Sequence, residues 1–326
     1  MRFLIVVLSC LQFLLKVNGS DEWTAFLNFQ SKFRKIYQNI EELNTRFSIF
    51  RENVKIIRQH NLDTTQNFTM GINQFTDLTA DEFKKTYVNG INVNYFKKSC
   101  KSFTGTSSIS LPDSLDWRTQ NAVTPVKDQG QCGSCWSFSA TGAMEGAWAI
   151  KNGVLESLSE QQLIDCSKKY GDLGCNGGLM DNAFEYVIDN GICQESDYAY
   201  IAAGGSCKQC SVVVSISNCA DVAANNQVVL KEAVATGPVS IAIEADTRYF
   251  QSYSSGVLTG STCGTNLDHG VLIVGYGTED DIPYWLVKNS WGESWGEDGY
   301  VKIQRSSSTN DAGTCGVAAQ PSFPIV

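Results

Sequence analysis

Gln129-Gly130-Gln131-Cys132-Gly133-Ser134-Cys135-Trp136-Ser137-Phe138-Ser139 is the stretch around which the rest of the chain can be ordered. The residues that follow, Ser137 to Ile150, are rich in Ala, Met, Glu and Trp and predict a helix. Cys135 is therefore expected at or just inside a helix N-terminus, where unpaired amides and the dipole favour an anion. A thiol is a strong nucleophile only as thiolate, and beside an imidazolium such a position can lower its pKa to roughly 3–4. The chain has two histidines, His60 and His269, and His269 follows Cys135 by 134 residues at the head of the β-type run Val271-Leu272-Ile273-Val274. Twenty residues further on, the strand-like Tyr284-Trp285-Leu286-Val287 leads into Lys288-Asn289-Ser290-Trp291-Gly292. A half-cystine is the plain alternative for Cys135.

Cys, His and Asn in this order and at these separations resemble the papain family of cysteine proteases. The resemblance implies that Cys135 attacks a peptide carbonyl and that His269 carries the proton to the leaving amine. It also implies that the Asn289 side-chain oxygen orients the imidazole under the cover of Trp291. Gln129 matches the family's oxyanion donor, acting with the Cys135 backbone N–H. The resting state would be a thiolate–imidazolium pair, the intermediate a thioester, and no metal or cofactor would be needed. Gly174-Cys175-Asn176-Gly177-Gly178-Leu179-Met180 matches the cathepsin L loop, whose paired glycines, Gly177 and Gly178, offer backbone hydrogen bonds to an extended substrate. Leu179, Met180, Ala242, Leu267 and Gly270 would line an apolar pocket for the second residue before the cut. Gln320 is a departure, standing where cathepsin L has a small apolar residue. It would either receive a polar tip or point away. With no second histidine to spare, the resemblance favours an endopeptidase over a dipeptidyl-cleaving enzyme.

The segment before this body has a pattern of its own. Glu42, Arg46, Phe50, Asn53, Ile57 and Asn61 recur at intervals of 4, 4, 3, 4 and 4, one stripe of a helix. Their identities match the interrupted helix motif of cathepsin L-type propeptides, and Gly71-Ile72-Asn73-Gln74-Phe75-Thr76-Asp77 matches that family's second propeptide motif. Such a propeptide folds as a small helical unit and runs through the cleft in reverse direction, as an intramolecular inhibitor. Lys97 to Ser110 is polar and Ser/Thr-rich, as expected of an exposed, cleavable linker. The expected organisation is a signal peptide over 1–19, an inhibitory propeptide over 20–110 and a mature peptidase over 111–326. The peptidase divides into a helical L lobe over about 111–220 and a β-barrel-like R lobe over about 221–326. The fold class is α+β. His60 would be an exposed helix residue of the propeptide.

Composition sets the remaining bounds. Arg2 followed by the apolar run Phe3 to Leu15 reads as a secretory signal, too short for the ~20 residues of a spanning helix. No later stretch is long and apolar enough to span a bilayer. Residues 20–110 carry 12 Lys+Arg against 9 Asp+Glu, and residues 111–326 carry 11 against 25. A basic leader on an acidic body argues against nucleic-acid partners and for mutual attraction of the two segments. The expected partners are protein and peptide substrates and the chain's own propeptide, with a monomer in the secretory pathway, lysosome or an extracellular or digestive lumen. Of twelve cysteines, the resemblance pairs Cys132 with Cys175, Cys166 with Cys207 and Cys263 with Cys315. Cys100, Cys193, Cys210 and Cys219 could form two further bridges, of connectivity that sequence cannot assign. A zinc site at Cys207 and Cys210 lacks a second pair of ligands nearby.

Overall fold

The computed structural model describes residues 19–91, 100–105 and 110–326. The expected signal segment 1–19, apart from Gly19, and residues 97–99 and 106–109 of the expected linker lie outside the described residues. No helix among those described is long and apolar enough to cross a membrane.

The leader begins with α1 (Gly19–Lys32) and α2 (Ile40–Leu62). Asn39 starts α2 by accepting the Glu42 N–H on its side chain, satisfying one of the amides that a helix start leaves unpaired. Phe26, Phe29, Phe50 and Val54 are buried together between the two helices. The stripe seen in the sequence works as a spine. Arg46 bonds the Asp77 carbonyl and the Glu82 carboxylate. Asn53 donates to the carbonyls of Thr76 and Leu78, and Asn61 exchanges two bonds with the Met70 backbone. His60 is half-buried rather than exposed, because its ring packs on Phe68 and its Nε2 lies 3.1 Å from the Phe68 carbonyl oxygen.

Strand β1 (Phe68–Met70) fastens the leader to the body, and helix α3 (Ala80–Tyr87) follows it through a Thr79–Glu82 capping box. After β2 (Lys101–Phe103) and β3 (Leu115–Asp116), the body opens with α4 (Cys135–Asn152), α5 (Glu160–Cys166) and α6 (Met180–Asn190). Short strands β4 (Ile192–Cys193) and β5 (Val212–Val214) pair with each other. Then come β6 (Asn218–Val222), α7 (Gln227–Val234), β7 (Val239–Ile243), α8 (Arg248–Gln251), β8 (Tyr253–Leu258), β9 (His269–Glu279), β10 (Ile282–Lys288), β11 (Tyr300–Gln304) and β12 (Ser322–Ile325). The large sheet runs β1-β8-β11-β10-β9-β7-β12-β6-β2, with β3 on β9. Both ends of the body cross over: Leu115 and Asp116 pair with Tyr276 and Gly275, and β12 bridges β6 and β7. A division at 220/221 passes through β6.

Two features set the site's position. Gly142 and Gly146 face the sheet, where an added methyl would press on Leu272 and Pro238. Their bare backbone brings α4 close to the sheet, at the helix-propensity cost of about 1 kcal/mol each. The second feature is the β9–β10 hairpin. Asp280 and Asp281 both have positive φ, as a tight two-residue hairpin turn requires, and the register pairs Lys288 with Leu272. Asn289, just beyond β10, is thereby returned to the end of the hairpin where β9 starts at His269. The twenty-residue spacing is the contour of this hairpin.

Candidate active site

Cys135 occupies the first position of α4 and is fully buried, as is His269. It is the one free cysteine among the described residues. Its Sγ accepts the Gly270 N–H at 3.1 Å, so the sulfur lies against the residue next to His269. His269 Nε2 is 2.8 Å from Asn289 Oδ1, and Trp291 stacks on the imidazole with centroids 4.6 Å apart. No hydrogen bond joins Sγ to the ring, whose buried Nδ1 has no partner among the described residues. Gln129 Oε1 accepts from Ser290 Oγ at 2.7 Å, which turns its amide N–H group toward the Cys132 carbonyl at 3.0 Å and the leader's Tyr87 carbonyl at 3.5 Å. Ser290 and Tyr200 are members that the sequence reading missed. The Tyr200 hydroxyl donates to the Gln129 carbonyl at 2.6 Å and meets Ser134 Oγ at 2.7 Å.

The leader fills the groove above these groups. Gly178 N–H donates to the Gly90 carbonyl at 3.0 Å, and Ile91 forms a parallel bridge with Gly178. This is strand addition with the leader as guest. A methyl built on Gly90 would collide with Cys135 Sγ, so only glycine lets the backbone pass this close. Phe75 and Phe83 pack edge-on against Trp291, and Gln74 donates to the Trp291 carbonyl. Ile91 also packs on the apolar cluster that contains Met180 and Ala242, against which Leu267 packs in turn.

Burial under this cover changes the electrostatics expected from sequence. It pushes the Cys135 thiol up to about 12, outweighing the Gly270 N–H and the helix-start amides that pull it down. Burial likewise lowers His269 to about 4 against the support of Asn289. With the leader in place, burial favours the neutral thiol and the neutral imidazole.

Leu179, Met180 and Gln320 share the lining of one cavity of about 330 Å³. Ala242, Leu267 and Gly270 are not among its walls. Ala242 is fully buried in the core, an added methyl at Gly316 would press on Leu267, and Gly270 lies against Cys135 and Trp136. Gly177 has the positive φ of +104 that its turn requires, and Gly178 is pressed against Trp136. The disulfides are Cys132–Cys175, Cys166–Cys207, Cys263–Cys315, Cys193–Cys210 and Cys100–Cys219. One trio of described residues has potential metal donors close together: Cys100, Asp181 and Asp221. The Cys100 sulfur is bonded to Cys219 and is not free to act as a ligand.

Residues 111–325 match the model of the papain family cysteine protease, and residues 26–83 match the cathepsin propeptide inhibitor domain. The chain is 45% identical over 298 residues to germination-specific cysteine protease 1 of Arabidopsis thaliana, covering 88% of this chain and 78% of that protein. It is 46% identical over 323 residues to cathepsin L1 of Drosophila melanogaster, covering 94% and 85%. Among solved structures, digestive procathepsin L 3 of Tenebrio molitor larval midgut superposes with a TM-score of 0.86 at 41% identity, over 94% of this chain and 99% of that one. The chain belongs to the papain family of cysteine proteases, as a cathepsin L-like member that carries its own propeptide inhibitor domain.

Proposed function

We propose that this zymogen yields an endopeptidase in which Cys135 is the nucleophile, His269 the proton carrier, Asn289 the group that orients the ring and Gln129 an oxyanion donor. The observation that carries the reading is the free Cys135 sulfur at a helix start, held by Gly270 N–H beside an imidazole anchored to Asn289. Once the leader departs, water reaches the pair, the burial penalty falls, and the helix-start amides favour the thiolate. Attack on a peptide carbonyl gives a thioester as the amine leaves with the His269 proton, and water then releases the acid. Titration with an epoxysuccinyl thiol probe tests the assignment. One equivalent bound at Cys135 with full loss of activity is expected, and full activity after modification would sink it.

We further infer that acid releases the leader in a monomeric protein of the secretory pathway, lysosome or an extracellular lumen. Within the leader, Asp77 is held by Lys35 and Tyr37 at 3.0 Å each, and Glu82 by Arg46. Burial would raise Glu82, but its bonds to Arg46 and Thr79 bring it below the ordinary carboxylate value. Its stabilising effect is therefore present above the unfolded-state value and lost as pH falls through the folded one. Asp172 of the body behaves oppositely. Burial raises Asp172 to about 7, so the folded body binds more protons than the unfolded chain between roughly pH 4 and 7 and gains stability there on acidification. Protonation of Glu82 thus loosens the leader, while protonation of Asp172 does not weaken the body. Processing should be faster at pH 4.5 than at pH 7, and faster still as pH falls through the depressed Glu82 value. Gel analysis of purified zymogen across that range checks it, and equal rates throughout would reject it.

Gln320 lines the same cavity as Leu179 and Met180, which supports a place in the specificity pocket. Gln320→Ala should lower the ratio of Arg-Arg to Phe-Arg peptide cleavage by roughly tenfold, the scale of one polar pocket contact. An unchanged kcat/KM ratio would remove Gln320 from the pocket.

A further inference from the structure

Cys100 lies between the two matched regions, in the stretch expected to leave with the leader, yet it is bonded to Cys219 of the body. The chain around it is built into the fold. Strand β2 pairs in parallel with β6, Lys101 with Ala220 through Phe103 with Val222, and the Phe103 carbonyl accepts the Ala223 N–H at 3.0 Å. Phe103 stands edge-on to Phe323 of β12 with centroids 5.4 Å apart. Ser102, Phe103 and Thr104 also line the cavity to which Leu179, Met180 and Gln320 belong.

We propose that the Cys100–Thr104 strap is a covalently retained wall of the specificity cavity in the active enzyme. This rests on the reading of the chain as a protease zymogen. Hydrolysis of a peptide bond consumes water and leaves the disulfide untouched, so the position of the cut decides what stays. A cut between Phe103 and the body leaves the whole inhibitor on a disulfide tether, at an effective concentration that keeps the cleft blocked. A cut between Ile91 and Cys100 frees the cleft and leaves the strap in its sheet. Only the second gives an active enzyme without a reductant. The bridge is also protected. Cys100 and Cys219 are both buried, and ligand atoms of Cys100, Asp181 and Asp221 lie within 4.8 Å of one another. Thiol–disulfide exchange needs access by a thiolate, which burial and neighbouring carboxyl groups both oppose.

The test is processing of the full chain without reductant, thiol alkylation, and mass analysis before and after treatment with a dithiol. The dithiol delivers two electrons to the S–S bond, gives two cysteine thiols and becomes a cyclic disulfide. The active enzyme should carry a Cys100-containing peptide that is lost only on reduction, unless that peptide is still continuous with the body. Active enzyme lacking Cys100 before reduction would overturn the proposal. A zymogen that fails to process itself counts against the protease reading, and trypsin then supplies the cut so that the linkage is still read. Phe103→Ala, or Phe103→Leu if the first does not fold, should change the Phe-Arg to Arg-Arg kcat/KM ratio by roughly threefold or more, mainly through KM. An unchanged ratio with the strap retained would equally overturn it.

Discussion

Cys135→Ala will abolish peptide hydrolysis, by roughly 10⁴-fold or more in kcat/KM, while the chain still folds as the leader-bound form. The substitution removes a single buried atom. Its structural cost is the Gly270 N–H left without its acceptor, on the order of 1–3 kcal/mol for a buried donor. The chemical cost is total, because no other free cysteine is present among the described residues. The leader's effect on the wild type can be read by alkylation. With the thiol pushed up to about 12 by burial, the zymogen should resist iodoacetamide at pH 6, whereas the processed enzyme should react rapidly. Equal alkylation of both forms would show that the leader does not control ionisation. Hydrolysis retained by Cys135→Ala would remove the nucleophile assignment altogether.

What could be read from sequence divides along physical lines. The chemistry-bearing residues were legible because their spacing is a contour length. The His269–Asn289 interval is one hairpin, although its Asp280-Asp281 turn lacks the glycine that normally announces such a turn. The leader's stripe was legible as a helix face, but not the carbonyls that Arg46, Asn53 and Asn61 would seek, which lie 9 to 31 residues away. The Cys100–Cys219 bridge was hidden because four leftover cysteines permit three connectivities, and the choice is made by β2 pairing with β6. The effect of the leader on the catalytic couple was hidden for a related reason. Sequence shows the helix start that lowers a thiol pKa, but not the depth at which Gly90 and its neighbours bury it.

Lys127 carried no signal at all, standing between Val126 and Asp128 like any surface lysine. In the fold its ammonium lies 3.1 Å from Glu145 and 2.7 Å from Glu160, and it also donates to the Leu158 carbonyl at 3.0 Å. Glu145 belongs to α4, the helix that presents Cys135, and Thr141 of the same helix donates to Glu160. Burial acts to raise Glu145, but Lys127 and Lys288 hold it down. Burial and then the Glu145 charge push Glu160 up against the pull of Lys127. Lys127→Met should therefore destabilise the body by about 3–5 kcal/mol at pH 7, the cost of stranding a buried charge. The sign of its pH dependence follows. Without the cation, burial is less opposed at both carboxyls, so the folded variant takes up protons more readily than the wild type and its deficit shrinks as pH falls from 7 to 5. Urea unfolding in a Cys135→Ala background, which prevents self-digestion, measures both quantities. A deficit under about 1 kcal/mol, the scale of an exposed pair, or one that does not change with pH would mean that the cluster is solvated and does not brace α4.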